Sequence, residues 1–166
     1  MKLVVNKAAV LGAGVMGAQI AAHLANANVP VVLFDLPAKE GDKNGVVKKA
    51  LDGLKRMQPS PLVTRDKLQY IDAANYEEHL ELLSGCDLII EAIAERMDWK
   101  NDLYSKIAPF LPSTAVIASN TSGLSINALA DGLPEALRPN FCGIHFFNPP
   151  RYMPLVEIIA TRSTDP

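Results

Sequence analysis

The chain has 166 residues, of which 49% are hydrophobic and 20% charged, as is ordinary for one soluble globular domain. A formal net charge of −2 gives no overall attraction to nucleic acid or to an anionic membrane, and no apolar run approaches the roughly 20 residues that cross a bilayer. Because the first strand begins too early to leave room for a signal peptide and Cys86 and Cys142 lack metal-ligand spacing, we expect a cytoplasmic protein with two buried thiols and no metal site.

Short apolar runs alternate along the chain with longer segments of helical period. This alternation predicts parallel strands joined by crossover helices. Because the runs are continuously apolar, we expect helices on both faces of the sheet, as in a Rossmann-type doubly wound α/β fold. Strands are predicted at residues 8–11, 31–34, 87–90, 115–118, 141–147 and 155–159.

The helix after the first strand is predicted over residues 16–28. Its apolar side chains recur at helical spacing, so that Ile20, Leu24 and Ala27 are expected to face the sheet. The helix is therefore expected to pack against the sheet.

The region after the second strand breaks the alternation. Residues 37–84 contain a predicted helix at 44–57, two prolines, an ambiguous stretch and a short helix around 77–83. We interpret this region as a helical insertion in the sheet, so that residues 1–166 form one domain.

A glycine-rich loop joins the first strand to the first helix. Its glycines permit a tight turn, close approach of a pyrophosphate to the backbone and close packing of the helix, whose N-terminus favours negative charge. The pattern G-x-G-x-x-G comprises Gly12, Ala13, Gly14, Val15, Met16 and Gly17.

Asp35 closes the second strand, 23 residues after Gly12. In dinucleotide-binding folds an acidic residue near this distance accepts hydrogen bonds from the adenine ribose. A carboxylate there repels the 2′-phosphate of NADP, and Leu36, Pro37 and Ala38 follow it instead of an arginine. The loop and Asp35 together predict NAD as the cofactor and disfavour a merely structural glycine turn.

Three motifs in the second half of the chain resemble the 3-hydroxyacyl-CoA dehydrogenase family. Their order and spacing match the family from the glycine loop to Glu157, over essentially the whole chain. The motifs are Glu91-Ala92-Ile93-Ala94-Glu95 followed by Lys100, then Ser119-Asn120-Thr121-Ser122, and His145-Phe146-Phe147-Asn148-Pro149.

The resemblance implies roles for the matching residues. His145 is the implied general base and Glu157 its partner, while Ser122 lies beside both nicotinamide and substrate. Contacts along the ribose and nicotinamide half of NAD are implied for Ala92, Ile93, Ala94, Glu95, Lys100, Asn120, Ser122 and Asn148.

Each of these segments also has a structural interpretation. Glu95 and Lys100 are compatible with a solvated helix start, residues 119–122 with a polar turn that caps a helix, and Glu157 with an outward-facing strand residue. For any one segment alone the structural interpretation is the better one. Together, in the family's register, they favour a site.

The insertion helix carries a basic stripe. Lys49 and Arg56 are seven residues apart and are expected to share one helix face. A solvated surface explains such a stripe, but the resemblance places this helix beside the CoA moiety, so that both residues are candidate contacts to the acyl-CoA substrate.

The resemblance implies NAD-dependent oxidation of an (S)-3-hydroxyacyl-CoA to a 3-ketoacyl-CoA. Family members continue into an all-helical domain that closes over the substrate and forms the dimer, and this chain ends before it, as a fragment or as a separately encoded half. Two alternatives stay open. One is a β-hydroxyacid dehydrogenase for small free acids, which needs no His–Glu pair, and the other is a non-catalytic NAD-binding module.

Overall fold

The computed structural model describes residues 4–165. Within them the strands are β1 Ala8–Leu11, β2 Val31–Asp35, β3 Ile71–Asn75, β4 Leu88–Glu91, β5 Val116–Ser119, β6 Phe141–Phe146 and β7 Val156–Ala160. They form a seven-stranded sheet of order β3-β2-β1-β4-β5-β6-β7. All neighbouring strands are parallel except β6 and β7, which are antiparallel. The mostly parallel Rossmann-type sheet is confirmed.

Helices cover both faces of this sheet. The α-helices are α1 Val15–Asn26, α2 Gly45–Leu54, α3 Met97–Ile107 and α4 Ile126–Asp131, and short 3-10 helices span Arg65–Tyr70, Leu80–Gly85, Ala108–Phe110 and Glu135–Asn140. Alternate strand residues point to opposite faces. In β1, Ala8 and Val10 pack with α1 and α2, whereas Ala9 and Leu11 pack with α3 and α4.

The first helix ends earlier than predicted. Helix α1 stops at Asn26 because Asn28 adopts a left-handed φ of 63°. The amide of Val29 then donates to the carbonyl of Leu24 at 3.2 Å, which closes a Schellman-type C-cap. Ala27 is consequently exposed and does not face the sheet as predicted.

The insertion contains a strand that the prediction omits. Ile71–Asn75 pairs along its whole length with β2 and forms an edge of the sheet. Its sequence, IDAAN, has one β-branched residue and no regular alternation, so that local pattern is a weak signal and the neighbouring strand supplies the template. The insertion is therefore part of the sheet and is not wholly helical.

Two helix predictions in the insertion are wrong in their bounds. Helix α2 ends at Leu54, directly after Gly53, instead of reaching residue 57. The helix expected around residues 77–83 is the 3-10 helix Leu80–Gly85, because the Asn75 side chain accepts the amides of residues 77 and 78 and holds them in a turn.

The remaining strands lie within one residue of their predicted bounds. Cys86 and Cys142 are both buried free thiols, as expected. Among residues 4–165, no helix combines the length and apolarity needed to span a bilayer.

Candidate active site

The glycine loop packs too tightly for side chains at two of its three glycines. Gly12 has a φ of +104°, and a Cβ there would lie 2.9 Å from the carbonyl oxygen of Ala92. A Cβ on Gly17 would lie 1.8 Å from the carbonyl oxygen of Gly12, so that only glycine lets α1 approach β1 this closely. A Cβ on Gly14 would meet no atom within 4 Å, so that the backbone of this residue is open to a ligand.

Helix α1 begins directly after this loop. Gly14 is its N-cap and contributes no side-chain hydrogen bond, so that the amides of the first turn face the open space in front of the helix. Such a terminus attracts anions. The loop and the helix start therefore have the geometry that a pyrophosphate requires.

Two adjoining cavities open on either side of this helix start, with volumes of about 480 and 610 Å³. The smaller is lined by Gly12, Gly14, Asp35, Leu36, Tyr76, Ala92, Ile93, Ala94, Trp99, Asp102, Leu103 and Lys106. The larger is lined by Gly14, Val15, Met16, Ala92, Ile93, Ala94, Glu95, Asn120, Ser122, His145, Phe146, Phe147 and Asn148. Both share the wall formed by Gly14 and residues 92–94, so that a two-part ligand with an anionic centre fits across them.

Asp35 connects the smaller cavity to the glycine loop. Its Oδ2 accepts the amide of Ala13 at 2.6 Å, and its Oδ1 accepts the amide of Leu36 at 2.7 Å. Each carboxylate oxygen can accept a second hydrogen bond. Asp35 is thus oriented by the protein and still able to accept ribose hydroxyls, and the apolar groups of Trp99 and Tyr76 line the same cavity.

The wall between the cavities is held from behind by a buried carboxylate, Glu91, which is 0% exposed. Its Oε1 accepts the amide of Ile93 at 2.7 Å and Lys100 Nζ at 2.6 Å, and its Oε2 accepts Ser119 Oγ at 2.7 Å and Tyr104 OH at 3.1 Å. Four donors fill the carboxylate's usual capacity. The network fixes the start of the segment that faces both cavities.

Lys100 lies behind this wall. Its side chain is 1% exposed, and Nζ also contacts the carbonyl of Ile93 at 3.4 Å. Lys100 and Glu91 therefore hold Ile93 from both sides, one through its carbonyl and the other through its amide. Lys100 therefore supports the wall formed by residues 92–94, and a direct contact between Lys100 and the ribose of NAD remains a prediction.

Glu95 ties the same segment to the loop after β5. Its Oε1 accepts a hydrogen bond from Thr121 Oγ1, which in turn accepts the amide of Leu124 at 3.1 Å. Burial raises the pKa of Glu95, but the hydrogen bond from Thr121 and the charge of Lys100 outweigh it, and the net pKa lies below the usual value. Glu95 is therefore an anion at neutral pH.

His145 and Glu157 face each other across the antiparallel pair of β6 and β7, where they are register partners. His145 Nδ1 lies 2.8 Å from Glu157 Oε2, and the two side chains are 18% and 48% exposed. A carboxylate only accepts hydrogen bonds, so that Nδ1 carries the proton and Nε2 is the basic nitrogen of the neutral ring. The structure brings together the two residues that the family resemblance implies as a pair.

Asn120, Ser122 and Asn148 line the larger cavity with His145. Asn120 is fixed from both ends, because its Oδ1 accepts the amide of Phe146 at 2.9 Å and its own backbone amide donates to the carbonyl of Glu91 at 2.8 Å. These contacts join the ends of β4, β5 and β6 into one rim, which is where ligands bind in open α/β sheets.

The basic stripe of the insertion differs from its prediction. Lys49 is exposed on α2, but Arg56 lies two residues beyond the end of that helix, so that the two do not share a helix face. Two neighbouring lysines form exposed ion pairs, Lys48 with Asp42 and Lys55 with Asp52. Lys49 and Arg56 lie outside the lining of both cavities.

Sequence reasoning missed several residues that build the site. Glu91 belongs to a predicted motif but received no role, and its burial among four donors appears only once α3 and β5 are in place. Trp99 and Tyr76 form cavity walls without any sequence signal, since an aromatic residue at helical or strand spacing indicates core packing just as well. Phe147 lies within a predicted motif but was given no role of its own. Gln19, in α1, contacts Asn148, which lies 129 positions further along the chain and is brought close only by folding.

Residues 7–166 match the family model described as 3-hydroxyacyl-CoA dehydrogenase, NAD binding domain. A Rickettsia felis protein named as a putative fatty acid oxidation complex trifunctional enzyme is 47% identical over 93% of the chain, and a Deinococcus radiodurans protein named as a probable 3-hydroxyacyl-CoA dehydrogenase is 43% identical over 98%. The crystal structure of 3-hydroxybutyryl-CoA dehydrogenase from Escherichia coli superposes with a TM-score of 0.80 at 30% identity over 98% of the chain. The chain spans 22%, 47% and 34% of the lengths of these three proteins. It belongs to the 3-hydroxyacyl-CoA dehydrogenase family and corresponds to the family's NAD-binding domain.

Proposed function

We propose that the protein containing this chain oxidises an (S)-3-hydroxyacyl-CoA to the 3-ketoacyl-CoA, with NAD as the hydride acceptor. The observation that carries the proposal is the 2.8 Å contact between His145 Nδ1 and Glu157 Oε2 at a cavity that adjoins the dinucleotide loop. The names of the relatives and of the solved structure, which specify hydroxyacyl-CoA dehydrogenases, support the substrate class.

The residues present fit the dinucleotide in two halves. The smaller cavity would hold the adenosine half with Asp35 accepting its ribose hydroxyls, and the amides at the start of α1 would hold the pyrophosphate. The nicotinamide half would then lie in the larger cavity against residues 92–95, Ser122 and Asn148. Bound NAD supplies a hydride acceptor, which no side chain can provide.

His145 supplies the proton acceptor. Its Nε2 takes the proton of the 3-hydroxyl group while the oxygen's electron pair forms the carbonyl bond and carbon 3 loses its hydrogen as hydride. Glu157 keeps the ring in the required tautomer and stabilises the imidazolium that forms. Ser122 lines the same cavity and would orient the substrate oxygen through its hydroxyl.

The substrate's CoA moiety and the rest of the protein complete the proposal. Lys49 and Arg56 are candidate contacts to CoA phosphates, which attract exposed cations. Residues 1–166 would form one domain, followed by a helical domain that covers the outer strand. Strand β7 supports this arrangement because it is exposed throughout, with Ile158 at 68% and Ile159 at 38%.

The test compares substrates in the full-length protein. A short 3-ketoacyl-CoA with NADH is expected to turn over, whereas the corresponding free 3-keto acid is not. Turnover of the free acid alone would replace the proposal by a β-hydroxyacid dehydrogenase, and binding of NADH without turnover of either substrate would leave only a cofactor-binding module. The proposal also predicts that residues 1–166 alone bind NADH but work far below the roughly 10 s⁻¹ of a typical enzyme, because the proposed helical domain would be needed to exclude water.

A further inference from the structure

Helix α1 contains a buried amide side chain in its second turn. Gln19 is 4% exposed, and its Nε2 donates to the carbonyl of Val15 at 3.0 Å and to Oδ1 of Asn148 at 3.2 Å. The glycine-loop motif does not include this position, and the roles implied by the family resemblance do not use it. Its second bond reaches directly to the rim of the larger cavity.

The chemistry of the two contacts fixes the orientation of both amides. A backbone carbonyl only accepts, so that Gln19 must present its NH₂ group, and not its oxygen, to Val15. The second hydrogen of that NH₂ group then points to Asn148, which must answer with its oxygen. The NH₂ group of Asn148 is thereby turned away from α1.

The backbone near Asn148 is anchored independently of Gln19. Arg151 Nη1 donates to the carbonyls of Ser60 and Leu62 at 2.7 and 2.8 Å, which fastens the loop after β6 to the insertion. Gln19 therefore acts on the Asn148 side chain. Without the contact to Gln19, the Asn148 amide is free to flip, which exchanges the positions of its oxygen and its NH₂ group.

We propose that Gln19 is a positioning residue that makes Asn148 a hydrogen-bond donor toward the carboxamide of the bound nicotinamide. This inference rests on the proposed function, because it requires the nicotinamide half in the larger cavity. A carboxamide offers one carbonyl acceptor and one NH₂ donor. A fixed donor at Asn148 selects the carbonyl end and so fixes how the carboxamide is turned.

Two substitutions separate polarity from packing. Gln19→Met keeps the length of the side chain but removes both hydrogen bonds, so that Asn148 is free to rotate. Gln19→Glu reverses the polarity when the new carboxyl group is ionised, because an ionised carboxylate only accepts hydrogen bonds. The NH₂ group of Asn148 then turns toward α1 and its oxygen toward the cavity.

The readout is the Kd for NADH compared with the Kd for ADP-ribose, which lacks nicotinamide, by calorimetry on the full-length protein. Gln19→Met is expected to raise the Kd for NADH about 3- to 10-fold and Gln19→Glu about 10- to 100-fold, which is the usual range between a lost and a mismatched hydrogen bond. The Kd for ADP-ribose is expected to stay within about 2-fold in both variants, since this ligand does not reach Asn148.

Three results would overturn the inference. Equal weakening of NADH and ADP-ribose would mean that α1 itself has moved and that Gln19 is only a packing residue. Unchanged NADH affinity in both Gln19 variants, with weakened affinity in Asn148→Ala, would refute the role of Gln19 and leave the proposed function intact. Unchanged NADH affinity in Asn148→Ala would remove Asn148 from the nicotinamide site and the inference with it.

Discussion

Two pairs, each of a carboxylate and a nitrogen-bearing side chain, lie at the rim of the sheet and differ in how far they are exposed and how many of their hydrogen-bonding sites are filled. Glu91 and Lys100 are 0% and 1% exposed, and every acceptor site of the carboxylate is filled. Glu157 and His145 are 48% and 18% exposed, and one ring nitrogen of the histidine is left without a role in the pair.

The difference indicates what each pair can do. A buried carboxylate whose donors are all satisfied stabilises one arrangement, and removing one partner leaves an uncompensated charge in a medium of low dielectric. A pair that is open to a cavity and has an unused nitrogen can exchange a proton with a ligand. The first pair therefore holds the wall between the cavities, and the second is suited to chemistry.

The largest expected effect comes from the His145–Glu157 pair, which is open to the larger cavity. In the full-length protein, His145→Gln should lower kcat by about 10²–10⁴, the usual contribution of a general base, while the Kd for NADH and the free energy of unfolding stay nearly unchanged. Glu157→Gln should lower kcat by less, because the ring remains but loses the charge behind it. Steady-state kinetics at saturating substrate and NADH measure both effects.

The matched control is His79→Gln, since His79 lies outside the lining of both cavities. If His145→Gln kept the kcat of the His79→Gln control, His145 would not be the base.

Substitutions in the buried Glu91–Lys100 pair should instead affect mainly the stability of the protein. Lys100→Met leaves Glu91 buried without a counter-charge and should lower the free energy of unfolding by about 3–5 kcal/mol. Adding Glu91→Gln to Lys100→Met should recover part of the loss, because the double variant carries neither charge. Urea denaturation monitored by circular dichroism measures both values.

Lys55→Met tests whether exposure makes this difference. Lys55 and Asp52 form an ion pair at 2.7 Å with side chains 49% and 58% exposed. The loss of such an exposed pair typically costs under about 1 kcal/mol. If Lys55→Met and Lys100→Met lowered the free energy of unfolding by similar amounts, burial would not account for the effect expected of Lys100.

Asp35 stands between these extremes, because it is partly exposed and accepts two amides. Asp35→Ala should raise the Kd for NADH about 10- to 100-fold, as expected for the loss of charge-assisted hydrogen bonds. It should also lower the ratio of the Kd for NADPH to the Kd for NADH, because the carboxylate that repels the 2′-phosphate is gone. Calorimetric titration with both cofactors measures the ratio.

Asp102→Asn removes a negative charge from the same cavity without changing the end of β2. It should leave the preference for NADH largely intact. If both variants narrowed the preference equally, general electrostatics and not Asp35 would determine cofactor choice.

The smallest effects are expected on the exposed basic surface. Lys49→Ser and Arg56→Ser should each raise the KM for the acyl-CoA substrate about 2- to 5-fold at low ionic strength, and the effect should fade as salt screens the phosphates. Lys48→Ser is the control, because Lys48 is already paired with Asp42. Equal KM values for all variants at low salt would exclude this surface from CoA binding.

Much of the fold could be predicted from the sequence because β1, β2 and β4 are continuous apolar runs that indicate buried parallel strands. Strand β3 could not, since its alanines and polar residues become a strand only through pairing with β2. Local pattern identifies a strand that has its own hydrophobic signal, and misses one that is defined by its neighbour.

The site divides in the same way. Local motifs were enough to predict the glycine loop and Asp35, whereas the pairing of His145 with Glu157 was predicted from the resemblance to the 3-hydroxyacyl-CoA dehydrogenase family. The donors to Glu91 and the contact between Gln19 and Asn148 join distant segments, so that they are visible only after folding. Their residue types are common in helices and strands and give no signal of their own.

The close approach at Gly17 has a consequence for distances along the cofactor. Because a single methyl group there would collide with the loop backbone, α1 lies this close to β1 only with glycine at position 17. The same helix carries the amides proposed to bind the pyrophosphate and, four residues after Val15, contacts Asn148 through Gln19. Four residues of α-helix rise about 6 Å. If the dinucleotide binds as proposed, helix α1 determines the spacing between its pyrophosphate and its nicotinamide end.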